Sequence, residues 1–381
     1  MTGKDMLKGI QNLDAALIEE AEFGTFQKEK AKITGKKKLL ILLAAALAVG
    51  SMIAAAAYTR WSATMQFGSY GGVQPSEEIK KQAEQTGLSM IPTGTDDGGQ
   101  ETVSATDNGV TITLAQTVMD QNGGKAIFRI QGLKLEEGQS PWAWYDYTID
   151  GKDWTQLGIS GGSQFFNGTT LDEAGNWIYV KSGKPVSGGY DYQLSDGSIE
   201  FSHDFAWDGK DVLGKEMVFT FTGLGITGEK FEDEDIMTTP GKWELRWILQ
   251  GSTEEAKKWT PNAKIGHWNL TLVEAEIGQY SMKFTYRLAD EYADLMDFVE
   301  RERWEPTPAG IRLKDGTNIQ NPSGSGSGEW DAENHLFTEI HSALGTVLDP
   351  EQITGLYFYA GSELNEEGFR VEKPYYYIPL A

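Results

Sequence analysis

Apolar positions along this chain follow three different rhythms. Between Met6 and Ala21 they recur at spacings of four, three, four and four, and Met6, Ile10, Leu13, Leu17 and Ala21 form one stripe. That spacing predicts a short N-terminal amphipathic helix over 5–22. From Leu39 to Tyr58 the chain runs twenty residues without a charge. As a helix rising about 1.5 Å per residue, this run spans roughly 30 Å, the thickness of a bilayer's hydrocarbon core. It predicts a transmembrane helix. After residue 100 the period shortens to two, as strands require.

The runs 110–118 (VTITLAQTV) and 126–133 (AIFRIQGL) flank the turn-forming DQNGG and read as a β hairpin. Further strands are expected at Trp177–Lys181, Tyr190–Gln193, Ile199–His203, Glu216–Gly223 and Lys242–Gln250. Residues 267–288 repeat the layout of 108–133, with a Thr-Leu pair, a Gly-containing turn and an aromatic/basic strand. Strands at 310–317, 353–361 and 369–380 would complete a second unit, with 321–330 (NPSGSGSGEW) as an exposed flexible loop. Short strands separated by Gly/Asp turns favour sandwiches over a parallel sheet. The expected fold is mainly β: one transmembrane helix plus two extracytoplasmic β-sandwich-like domains.

The organisation that follows is a cytosolic helix and basic linker at 1–38, a span at 39–58 and a stalk at 59–100. A first β domain at 101–255 and a second at 256–381 come after it. Within the stalk, Pro75-Ser76-Glu77-Glu78 marks a helix start running to about Gln85. Six lysines lie between residues 28 and 38, ending in Lys36, Lys37 and Lys38, whereas Arg60 and Trp61 follow the span. The positive-inside rule then places the N-terminus in the cytoplasm and the large remainder outside a cell membrane. A cleaved signal peptide is the competing reading, with Ala55–Ala57 as the small-residue site. The 38 residues before the run are far longer than a signal's n-region, which favours the anchor.

Net charge is −23 over 381 residues; residues 1–38 carry +2, which leaves −25 for the rest. Such a field repels nucleic acid. Cysteine is absent from the sequence, which excludes disulfides, thiol catalysis and Cys-ligated zinc. Twelve Trp, fifteen Tyr and sixteen Phe supply core material instead.

No nucleophile–base pattern, phosphate-binding loop or dinucleotide-binding glycine motif is present, so neither enzyme activity nor a cofactor is expected. Of the four histidines only His335 and His341 are near each other in sequence, with Glu333 and Glu339 nearby, and they are a weak metal candidate. The acidic run 231–237 (FEDEDIM) lacks the alternation of a calcium loop. The segment 141–154 concentrates Trp142, Trp144, Tyr145, Tyr147 and Trp154. Of these, Trp142, Trp144 and Tyr145 are candidates for stacking on a ligand, and strand alternation equally allows them to be core.

The acidic NLDAALIEEAE segment (12–22), the lysine-rich stretch, the Ala/Leu span and the opening DNGVTITLAQTVMDQNGGKAIFRI together resemble the single-pass membrane family known as domain of unknown function 4179. GKWELRWIL (241–249), HWNLTLVEAEI and IRLKDGT resemble the β domain that commonly follows. The likeness covers roughly residues 10–135 plus pieces of the C-terminal half. It implies a Gram-positive, spore-former-type bacterium and an anti-sigma factor with a short cytosolic segment and an outer β domain. One departure is that the cytosolic segment lacks the His and Cys ligands of zinc-containing anti-sigma domains. A sigma factor would have to be held by the Met6/Ile10/Leu13/Leu17/Ala21 face alone. The leading expectation is therefore a membrane-anchored regulator with extracytoplasmic sensing domains. The alternative is a cell-surface binding or adhesive module, glycan-binding through its aromatics, with a merely topogenic tail.

Overall fold

Alternation of apolar and polar side chains gives each strand two faces, and in this protein both faces of the inner sheets are used. The structure, a computed structural model, describes residues 61–67, 75–92 and 102–380. Within these, 137, 173–175, 208–210, 229–233, 267, 303–306, 321–322, 344–346, 361, 365–369 and 373–374 are excepted. The stripe from Met6 to Ala21, the run 39–58, Lys36, Lys37, Lys38 and Arg60 lie outside the described residues. Among the described residues, no helix is long and apolar enough to cross a membrane.

The chain enters through α1 (Ala63–Phe67), α2 (Glu77–Gln85) and β1 (Ser89–Met90). The Ser76 side chain accepts from Ile79 N and so caps α2 where the sequence placed a helix start. There follow β2 (Ser104–Asp107), β3 (Val110–Met119), β4 (Gly123–Gln131), β5 (Pro141–Ile149), β6 (Lys152–Asp153), the single turn α3 (Trp154–Leu157) and β7 (Ser160–Phe165). Next come β8 (Thr169–Leu171), β9 (Trp177–Tyr179), β10 (Ile199–Ala206), β11 (Glu216–Ile226) and β12 (Ile236–Ile248). One sheet runs β1-β3-β4-β10-β7, with β2 beside β3, and the facing sheet runs β12-β11-β5-β6. Phe128, Phe201, Phe205, Phe219, Phe221, Trp243 and Trp247 fill the space between them and are fully buried.

The second sandwich contains β13 (Lys257–Trp259), β14 (Ala263–Lys264), β15 (Leu270–Ile277), β16 (Ser281–Leu288) and helix α4 (Leu295–Glu302). It continues with β17 (Gly310–Leu313), β18 (Asn318–Gln320), β19 (Ser323–Asp331), β20 (Leu336–Ala343), β21 (Ile353–Phe358), β22 (Ser362–Leu364), β23 (Arg370–Glu372) and β24 (Tyr376–Pro379). Its sheets run β13-β15-β16-β20-β19, with β14 beside β15, and β18-β17-β21-β24. The inner sheets of the two sandwiches thus share one strand layout. The opening hairpins match in finer detail as well. The β3–β4 ladder slips between Leu114 and Gln116, and the β15–β16 ladder between Leu272 and Glu274. Each Thr-Leu pair is followed by one bulged residue, Ala115 or Val273.

Three expectations need correcting. The Gly/Ser run 321–330 is mostly strand, because β19 pairs with β20 through backbone groups that need no side chains. Tyr190–Gln193 forms only one isolated bridge, Gln193 to Ile199, within a Gly- and Asp-rich connection. The segment expected as a stalk also contributes to the body. Trp61, Met65, Ala83 and Leu88 are buried in the same core as Trp268 and Phe284. Trp61, expected at a membrane interface, donates from Nε1 to Glu84 Oε1 at 3.1 Å.

A buried carboxylate secures that segment. Glu200, on the opposite face of β10 from Phe201, accepts Ala63 N at 3.0 Å, Thr64 N at 2.8 Å and the Thr64 hydroxyl at 2.9 Å. Arg129 Nη2 approaches the same carboxylate at 3.2 Å. A negative charge at the first N–H groups of a helix satisfies donors that have no intrahelical partner.

The two sandwiches meet through their inner sheets, β19 and β20 lying against β4, β7 and β10. Asp120, in the turn between β3 and β4, accepts Asn122 N and Gly123 N on Oδ1, closing its own turn. On Oδ2 it accepts Tyr280 N at 3.1 Å and Ser281 N at 2.8 Å, from the matching turn between β15 and β16. A Cβ at position 278 would stand 2.8 Å from Asp120 Oδ2, so this approach requires Gly278. Alongside, Lys125 Nζ contacts Asp204 Oδ2 at 2.9 Å and the Tyr280 hydroxyl donates to Asp204 Oδ1 at 2.7 Å. Lys125 is completely buried.

Removing one member leaves the other charge uncompensated in a dry interior. Asp204→Asn is expected to lower unfolding stability by about 3 kcal/mol or more in urea titrations. The triple change Lys125→Met, Asp204→Leu, Tyr280→Phe is expected to recover most of that loss, because no unpaired charge remains.

Candidate functional site

Two edge strands leave the first sandwich open along one side. Among the described residues, strand β7 pairs only with β10, and β5 pairs with β11 along its length but with β6 only at Thr148 and Ile149. Residues 141–147 of β5 and the end of β7 therefore border a gap into which the core's aromatic rings reach. The gap is a groove of about 360 Å³. Ser140, Pro141, Trp142, Ala143 and Tyr145 form one wall and Ser163 through Asn167 the other, with Phe201 and Thr227 also lining it. Tyr190 and Tyr192 close it from the connection between β9 and β10.

That connection is held in place by short-range geometry. Gly168 adopts φ +73°, and a Cβ there would fall on the Asp191 carbonyl, so only glycine lets 167–168 and 190–192 approach each other. Gly168 O accepts from Val180 N at 2.8 Å, and the Tyr179 hydroxyl donates to Gly189 O at 2.8 Å. The Tyr192 hydroxyl donates to Ser140 Oγ at 3.2 Å and bounds the groove at that end. Tyr190 meets Tyr192 edge-on at 6.1 Å and is more than half exposed.

Among the described residues, every one lining the groove is uncharged, in a chain that is 23% charged. A second depression of about 680 Å³ on the other side of Tyr190 and Tyr192 is bordered by Tyr179 and by the charged Glu136, Lys181 and Asp191. Two of the three stacking candidates come together in the groove. Trp142 is 41% exposed, whereas Tyr145 stacks on Phe219 at 5.1 Å and belongs partly to the core. Trp144 does not line it. Trp154 stacks on Tyr147 at 6.1 Å instead. Phe165, Phe166, Tyr190 and Tyr192 were not singled out by sequence. The only signal was the Tyr-Asp-Tyr triplet at 190–192, whose alternation suggested a strand.

The remaining candidates stay apart from the groove. His335 sits in a left-handed turn at φ +53°, and His341 Nε2 lies 3.1 Å from Glu339 Oε2. No group of three side chains suited to hold a metal ion assembles among the described residues. Residues 231–233 of the acidic run, like His267, lie outside them.

Beneath the groove lies His203, ringed by Tyr145, Tyr147, Phe205 and Phe219 at centroid distances of 5.2, 5.1, 4.6 and 5.7 Å. Among the described residues, neither ring nitrogen has a hydrogen-bond partner. Burial, reinforced by the Lys125 ammonium, depresses its pKa from 6.5 to about 3. Burial likewise pushes the Tyr145 phenol up, opposed by its hydrogen bond with Ser163.

The unfolded chain takes up a proton at His203 near pH 6.5, and the folded protein resists until about pH 3. Its contribution to stability is therefore complete above pH 6.5 and declines as pH falls through that window, by up to about 1.4 kcal/mol per pH unit. Urea midpoints at pH 7 and pH 5 test this. The wild-type loss over the interval is expected to exceed that of His203→Phe.

Neither a family model nor a curated protein sequence matches the chain. A crystal structure of the conserved domain protein from Bacillus anthracis is similar over 84% of this chain and 97% of that one, at 11% identity and a TM-score of 0.43.

Proposed function

We propose that this protein is a single-pass envelope regulator whose first sandwich binds an uncharged ligand in the aromatic groove. Its cytosolic stripe would hold a sigma factor, as the likeness to the domain of unknown function 4179 family implies. One observation supports coupling the two ends. Phe166, a groove wall residue, stacks at 6.3 Å on Phe67, the last residue of α1. Four residues further, the Thr170 hydroxyl donates to Phe67 O at 2.9 Å. The segment 61–67 follows directly on the apolar run proposed as the membrane span, so whatever fixes the groove wall also bears on the chain leaving the membrane. No catalytic step enters this reading.

A second reading, an anchored binding module with a purely topogenic tail, shares the groove and differs only inside the cell. It is favoured by the completeness of the groove within the first sandwich.

Affinity purification of the full-length protein from its own membranes distinguishes the two. The regulator reading expects an extracytoplasmic-function sigma factor to co-purify, and Leu13→Asp with Leu17→Asp to abolish the association. It also expects sigma-dependent transcription to rise on deletion. Failure of both leaves the binding module.

A further inference from the structure

Resting on the reading of the groove as a recognition site, we infer that its ligand is a neutral pyranose glycan, held between Trp142 and Tyr190. Among the described residues, the lining supplies no carboxylate for a cationic ligand and no lysine or arginine for an anionic one, and the protein's net charge of −23 further opposes anions. Trp142 and Tyr190 leave 41% and 55% of their surface in water on two different segments of the groove wall. A pyranose offers the matching surface: a face of C–H groups to cover an aromatic ring, and hydroxyls around its rim.

The polar groups suit those hydroxyls. Asn167 Oδ1 already accepts Thr169 N at 3.1 Å and the Thr169 hydroxyl at 2.8 Å, which fixes the amide and leaves Nδ2 to donate. Thr227 lines the groove at the Ser140–Pro141 end, where its N–H donates to Ser140 O at 2.9 Å. A wholly aliphatic ligand would strip water from these groups and return no hydrogen bond. An extended peptide fits less well. Strand addition at β5 would begin at Pro141, which has no N–H to give, and the Tyr192–Ser140 contact bounds the groove at that end.

The test uses the full-length protein in a detergent without sugar headgroups. Its probes are neutral oligosaccharides of glucose, mannose, galactose and N-acetylglucosamine, with uronic-acid and sialylated oligosaccharides and a hexapeptide library for comparison. Array binding and tryptophan fluorescence are the readouts, and unchanged thermal midpoints verify that each variant is folded. Neutral oligosaccharides alone are expected to bind. Trp142→Ala and Tyr190→Ala should each weaken binding by about tenfold or more, while Trp144→Ala, outside the groove, should leave it unchanged. The inference is overturned if no neutral oligosaccharide binds at millimolar concentration, or if binding survives both groove substitutions. Hexapeptide binding that Trp142→Ala abolishes also overturns the glycan, while leaving the groove as a recognition site. Sugar binding without any sigma-factor association would remove the regulator reading and keep this inference.

Discussion

One aspartate in the β3–β4 turn reaches across to the β15–β16 turn, and the relation of the two sandwiches depends on that contact. Asp120 spends one carboxylate oxygen on its own turn and the other on the backbone N–H groups of Tyr280 and Ser281. Burial pushes its pKa up, and the hydrogen bonds it accepts from Asn122, Tyr280 and Ser281 act against that rise. The neighbouring Lys125–Asp204–Tyr280 group is buried on the same terms. Desolvation consumes much of the attraction in such groups, so they add modest net stability. What they supply is selectivity: a slip of either inner sheet would strand a charge away from water. An apolar interface of the same area would tolerate sliding.

Strand β10 shows how one alternating sequence serves two interfaces. Phe201, His203 and Phe205 face the aromatic core and its groove, while Glu200, Ser202 and Asp204 face the entering segment and the second sandwich. Neighbouring residues on this strand thus hold the groove's floor at Phe201 and the α1 anchor at Glu200. The contact between Phe166 and Phe67 adds a second, side-chain route between the same places. A rigid two-faced strand joins these sites more directly than a flexible stalk would.

The duplicated inner-sheet layout did not duplicate the site. In the second sandwich the outer sheet turns an aromatic to solvent instead: Tyr377, 45% exposed, lies 5.1 Å from Tyr357. The Tyr377 ring lies so close over Gly355 that any Cβ there would collide with it. The shared hairpin and bulge are properties of the scaffold. The long connection between β7 and β10 supplies Phe166, Asn167, Tyr190 and Tyr192 of the groove, whereas only residues 332–335 separate β19 from β20.

Periodicity by itself determined the mainly β fold, the α2 cap at Ser76 and the two opening hairpins, because period-two alternation and turn residues act over a few neighbours. It also marked Trp142 and Tyr145 as ring-bearing positions. Whether a ring faces core, groove or solvent was decided by tertiary structure, since alternation names two faces without saying what covers either. The same limit hid Phe165, Phe166 and Tyr190, whose meeting depends on a glycine that lets distant backbone segments touch. It also hid the burial of Trp61 and Met65, which depends on Glu200, more than a hundred residues away. Strand pairing in β19 escaped detection for a related reason. A Gly/Ser run has no side-chain pattern, and only the neighbouring strand supplies the hydrogen bonds that order it.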